Sequence, residues 1–122
     1  MANSSFNFLN LSDLNGNNGF IINGIAASVS SVSNVGDINN DGIDDLIIGA
    51  SDASPNRYRS GQSYVVFGGT NLGSGGTLKL SELNGTNGFI INGIAENDFS
   101  GSSVSNAGDI NNDGIDDLYS RW

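Results

Sequence analysis

The chain contains no cysteine and no histidine, a single proline, and only four basic residues against thirteen acidic ones. Without cysteine there is no disulfide framework and no thiolate metal site, and such a chain suits either redox compartment. Without histidine the usual general base and the commonest transition-metal ligand are missing, so a serine triad cannot be built from these residues. The basic residues are Arg57, Arg59, Lys79 and Arg121, and they form no patch beyond the Arg57/Arg59 pair. A net charge of −9 repels nucleic acid and anionic membranes, whose binding relies on Lys and Arg neutralising phosphates. Long apolar runs are also lacking. Phe20-Ile21-Ile22 and Leu46-Ile47-Ile48 are too short to span a bilayer, so no membrane insertion is expected. Residues 1–10 show neither the basic region nor the apolar core of a secretory signal, and no stretch shows helical periodicity.

What the chain has in quantity is glycine, with many Asn and Ser, the residues of turns between short strands. It also repeats itself. Ser12–Ala26 returns as Ser81–Ala95 with thirteen of fifteen positions identical, and Ser30–Leu46 returns as Ser102–Leu118 with sixteen of seventeen. The offset is 69 in the first block and 72 in the second, because the later copy carries extra residues around Phe99-Ser100-Gly101. The boundary between repeats falls between residues 80 and 81, giving a first repeat at 1–80 and a second, shorter one at 81–122.

Within a repeat, Gly19–Ile25 is apolar and β-branched, and Asn23-Gly24 is a tight-turn dipeptide. Strands are expected at 29–35, 45–50, 63–67 and 77–80, and Pro55 marks a polar loop over 53–62. Four or five short strands in about seventy residues is the size of a propeller blade. A β-solenoid, or an array of small cation-binding modules, is the alternative with the same period.

Eight of the thirteen acidic residues lie in two ten-residue stretches of identical sequence, Asp37–Leu46 and Asp109–Leu118. Side-chain oxygens stand at positions 1, 3, 5 and 9, with a glycine after position 5. Calcium takes six to eight oxygen ligands from carboxylates, amides, backbone carbonyls and water. On that chemistry Asp37, Asn39, Asp41 and Asp45 are ligands through side chains and Ile43 through its carbonyl. Asp109, Asn111, Asp113, Ile115 and Asp117 repeat the set. Gly42 and Gly114 relieve a positive φ at the bend, while Asp44 and Asp116 point away, toward solvent or a neighbouring amide. The competing account is a solvated turn, since Asp, Asn and Gly are also ordinary turn residues. Against it, three carboxylates within nine residues repel one another unless a cation neutralises them. Magnesium fits less well, because it demands tighter octahedral geometry. An EF-hand requires a glutamate at position 12 and flanking helices; that position holds Ile48 and Ser120, and the flanks are β-type.

The run Ser-Val-Ser-Asn-x-Gly-Asp-Ile-Asn-Asn-Asp-Gly-Ile-Asp-Asp-Leu, continued by Ile47-Ile48-Gly49-Ala50 and Tyr64-Val65-Val66-Phe67-Gly68, resembles the FG-GAP repeats of integrin α-subunit β-propellers and their bacterial relatives. The acidic loop alone is shared with thrombospondin-type repeats and dockerins; the combined pattern is more specific. The resemblance implies an all-β chain of propeller-type blades built from short antiparallel strands. It covers about one and a half repeats, fewer than a closed ring needs. It also implies Ca2+ in both loops. Three departures stand out: Ser51 replaces the proline that usually follows Gly-Ala; copy one lacks the Phe-and-Gly segment that copy two shows as Phe99-Ser100-Gly101, so its inner strand is expected to be short or distorted; and Tyr119-Ser120-Arg121-Trp122 replaces Ile47-Ile48-Gly49-Ala50.

Two classes of function follow. One is a non-enzymatic, calcium-binding structural or interaction module, at the cell surface or outside the cell, with an extracellular protein or carbohydrate as ligand. It would be completed by self-association or by further blades. The other is a non-catalytic fragment of a larger secreted calcium-dependent hydrolase. Asp44, Asp45 and Glu96 are the acids a catalytic role would draw on, but no His or Cys accompanies them, and the loop carboxylates are better explained as ligands. Arg57-Tyr58-Arg59 lies where propellers often place binding residues, but a solvated loop accounts for it better.

Overall fold

The computed structural model describes residues 8–24 and 29–121. The strands are β1 (Ile21–Asn23), β2 (Ser31–Gly36), β3 (Asp45–Ala50) and β4 (Gln62–Val66), then β5 (Thr77–Lys79), β6 (Gly88–Asn92), β7 (Ser103–Gly108) and β8 (Asp117–Arg121). The only helical elements among the described residues are two single 3-10 turns, Leu11–Asp13 and Leu80–Glu82. The protein is all-β, as the composition and the absence of helical periodicity imply, and none of its sheets closes on itself.

The chain divides into two compact units, one from residues 1–25 and 69–82, the other from 26–68 and 83–122. In the first unit β1 and β5 run parallel, pairing Ile21 with Thr77 and Asn23 with Lys79. Leu80 is its fully buried side chain. The Phe20 ring lies over Gly73, where a Cβ would come within 2.1 Å of the ring carbon Cγ.

The larger unit holds a four-stranded antiparallel sheet in the order β2-β3-β4-β6 and a two-stranded antiparallel sheet of β7 and β8. Strand β3 is central. Its run Leu46-Ile47-Ile48-Gly49-Ala50 is apolar on both faces because both are covered, and Ile47, Ile48, Gly49 and Ala50 are all buried. β2 and β7 pack against one another, so Val104 of β7 enters the core of Val35, Ile47 and Val65, flanked by Ile38, Phe67, Ile91 and Leu118. Each such apolar side chain contributes about 1.5–3 kcal/mol when fully buried. Tyr64 is buried with its hydroxyl donating to Gln62 Oε1 at 2.5 Å, and burial pushes its phenol above the ordinary range.

The sheet and the sequence repeat are out of phase. β6 opens the second repeat, yet it is the fourth strand of the sheet built by the first, pairing Phe89 with Val65 and Ile91 with Ser63. Among the described residues copy one shows no shortening or distortion of its inner strand relative to copy two; the junction at 25–28, where the segment is missing, lies outside the described residues. β2 and β7 are both six residues long, and each bulges at the same place, between Asn34 and Gly36 and between Asn106 and Gly108. At each bulge the glycine has a positive φ, +71° and +70°. Its amide donates to the preceding Asn Oδ1, Gly36 to Asn34 and Gly108 to Asn106. Bulges of this kind re-aim a strand as it leaves its ladder, and here they turn the chain into the acidic loops.

Candidate metal centre

Residues 37–44 join β2 to β3 and residues 109–116 join β7 to β8, so each acidic loop is the connection of an antiparallel pair. The β flanks agree with the rejection of an EF-hand. Inside the first loop, the Asp41 and Gly42 amides donate to Asp37 Oδ1 and Oδ2 at 3.0 and 2.7 Å. The Ile43 amide donates to Asp41 Oδ1 at 2.9 Å, and Asn39 Nδ2 to Asp41 Oδ2 at 3.3 Å. Asp45, 3% exposed, closes the loop. Its Oδ2 accepts from the Ile38 amide and its Oδ1 from the Gly68 amide, both at 2.9 Å.

The second loop repeats this from its own residues. Asp113 and Gly114 amides donate to Asp109 at 3.0 and 2.8 Å, Ile115 to Asp113 at 2.9 Å, and Ile110 to Asp117 Oδ2 at 2.9 Å. Gly42 and Gly114 both have φ +87°, as expected at the bend. Asn40 and Asn112 share a φ of +60°. This second left-handed position was not singled out from the sequence, although Asn is among the residues that tolerate that region best.

The wrap therefore brings Asp37, Asn39 and Asp41 into one hydrogen-bonded group, while Asp45 stands behind them, tied to the start of the loop. For the Asp37 carboxyl, partial desolvation acts upward, but amides of Gly42, Asp41 and Asn40 outweigh it and hold it below the ordinary range. Asp109 is lowered likewise, chiefly by the Gly114 amide. Asp44 turns away, as expected, but its partner is a side chain: Asn34 Nδ2 donates to its Oδ2 at 3.0 Å. Asn34 and Asn106, which hold both a bulge glycine and the outward aspartate, were missed as site-building residues. Their place three residues before the first loop aspartate in each copy was the available sign.

Among the described residues no three His, Cys, Asp or Glu side chains already form a cage for a metal ion. The carboxylates are turned onto the loop's own amides. A carboxylate offers about four lone-pair sites, so Asp37, Asp41 and Asp45 keep acceptor capacity after these bonds. The donor set, all carboxylate, amide and carbonyl oxygen, fits a hard cation. Elsewhere, Arg59 lies 5.1 Å from the ring centre of exposed Tyr58, a stacked pair on the loop before β4. No helix among the described residues is long and apolar enough to cross a membrane.

Among curated proteins none matches the chain. Residues 28–66, spanning β2, the first acidic loop, β3 and β4, match the family model of the FG-GAP repeat, and this chain accordingly carries an FG-GAP repeat, the structural repeat of integrin-like β-propellers.

Proposed function

We propose that the chain is a calcium-binding structural and interaction module of an integrin-α-like β-propeller, acting in adhesion or other extracellular binding. The observation that carries this reading is the pair of acidic loops. Both hold the same wrapped conformation through bonds between their own carboxylates and amides, and both present only hard oxygen donors. Asp37, Asn39, Asp41, the Ile43 carbonyl and Asp45 would hold one ion, and Asp109, Asn111, Asp113, the Ile115 carbonyl and Asp117 the other. Bound calcium supplies positive charge that neutralises the crowded carboxylates and ties each loop to its strand pair. The role is not catalytic: the acids are spent on loop amides and on the cation. Extracellular modules of this type bind calcium at about 10⁻⁴–10⁻³ M, which suits millimolar calcium outside cells, where an extracellular protein or a carbohydrate would be the ligand.

Calorimetric titration and thermal melting, with calcium and with a chelator, test the reading. Two equivalents of bound calcium and a melting point that rises with calcium are expected. A flat titration at millimolar calcium, with superimposable melts, refutes it.

A further inference from the structure

The two strand pairs β2-β3 and β7-β8 have nearly the same sequence but unequal surroundings, and the inequality marks an interface. Val104 is 7% exposed because it is packed into the core of the four-stranded sheet, whereas its repeat partner Val32 is 61% exposed. Asp116 is half-buried and reaches Gly36 of the neighbouring pair. A Cβ on Gly36 would stand 1.9 Å from Asp116 Oδ2, so only glycine leaves room there. The equivalent peg, Asp44, is exposed, and the equivalent notch, Gly108, has nothing within 4 Å of a Cβ among the described residues. Hydroxyls complete the seam: Ser30 and Ser31 Oγ donate to the Gly101 carbonyl at 3.2 and 3.0 Å. Their counterparts Ser102 and Ser103 are exposed, as is Val29, which holds the position of Gly101 in copy one.

One flank thus carries an unused peg, Asp44 with Val32, and the other an unused notch, Gly108 with Ser102 and Ser103. We infer that a second copy of this chain covers them, its Asp44–Val32 flank seated on the Gly108 flank of the first. The contact continues the β2–β7 interface already present inside each chain. Joining two different surfaces makes the contact heterologous, and such contacts close into rings when the rotation permits. With two blade-like sheets per chain, propellers of four to eight blades correspond to about two to four copies. The copy is imperfect: of the core that receives Val104, Val35 and Ile47 correspond to Ala107 and Tyr119, and the two-stranded β7–β8 sheet has no counterpart of Val65. Gly49 lies so close to the Gly101 carbonyl that a Cβ would be 2.0 Å away, and Arg121 holds the Gly49 position in the second pair. The strand end must yield there, so Arg121→Gly is expected to tighten association. The inference rests on the reading of the chain as neighbouring propeller blades, but not on calcium.

Sedimentation velocity over a wide concentration range, with calcium and with a chelator, is the test. The wild-type chain is expected to form a closed oligomer. Val32→Asp and Gly108→Leu are each expected to abolish it while leaving the circular dichroism spectrum unchanged. Because each variant damages only one flank, an equimolar mixture of the two is expected to give a 1:1 dimer and nothing larger. A wild-type monomer under every condition overturns the inference, as does an oligomer that survives both substitutions or a mixture that fails to pair. Failure of the calcium reading looks different, since it leaves the oligomer in place and the melting point indifferent to the chelator.

Discussion

Asp45 and Asp117 close loops of identical sequence, yet their removal should not cost the same. Asp45 is buried and accepts from two amides, Ile38 and Gly68, in part-buried surroundings. Asp117 is half-buried and, among the described residues, accepts from the exposed amide of Ile110. A buried donor left without a partner costs about 1–3 kcal/mol, and an exposed one is rescued by water. Asp45→Ala is therefore expected to destabilise by about 2–4 kcal/mol and Asp117→Ala by about 1 kcal/mol or less. For a chain of this size, 1 kcal/mol corresponds to roughly 3–6 °C in melting temperature, so the two variants should separate by several degrees. The assay is thermal melting followed by circular dichroism in excess chelator, which removes any metal contribution from both. Asp45→Asn keeps one acceptor oxygen and should fall between, which preserves the comparison if the alanine variant does not fold. Equal melting temperatures for Asp45→Ala and Asp117→Ala would refute the assignment of the difference to the Gly68 amide and burial.

Gly36→Ala combines a positive φ with a clash against Asp116, whereas Gly108→Ala meets the φ penalty alone. Left-handed backbone costs about 1–2 kcal/mol for a residue with a Cβ, so both should lower the denaturation midpoint, Gly36→Ala by more. Adding Asp116→Ala should recover part of the difference. For pH, the folded-state carboxyls of Asp37 and Asp109 are held below their ordinary range. Their contribution to stability is complete above the ordinary carboxylate range and is lost as pH falls through the lowered folded values. Melting in chelator from pH 6 downward should show this loss, and the Asp37→Asn/Asp109→Asn double variant should show a shallower acid slope.

The acidic loops were legible in the sequence because their geometry is local. Every bond from Asp37 to Asp41 and Gly42 spans five residues or fewer, and the second copy reproduces it with the same φ angles at Asn112 and Gly114. The turn ahead of β1, which was not read from the sequence, is local in the same way: Asn15 Oδ1 accepts from Asn17 and Asn18, as Asn84 Oδ1 does from Thr86 and Asn87. Strand pairing is another matter. Gly-Phe-Ile-Ile-Asn occurs twice, but in β1 its isoleucines pair parallel with β5, while in β6 the segment pairs antiparallel with β4. A strand's apolar pattern says that a face must be covered, not which strand will cover it.

The same division runs through the whole protein. Sequence by itself determined the repeat, the β class, the two oxygen-rich loops and their bends, all of which depend on side chains within a few residues of one another. Only the tertiary structure decided that Asp45 is buried beneath Gly68 while Asp117 is not, that Val104 is core while Val32 faces outward, and that Asp116 fills the notch at Gly36. Equivalent residues in identical segments diverged there because burial is a property of what packs alongside, and the two copies have different neighbours.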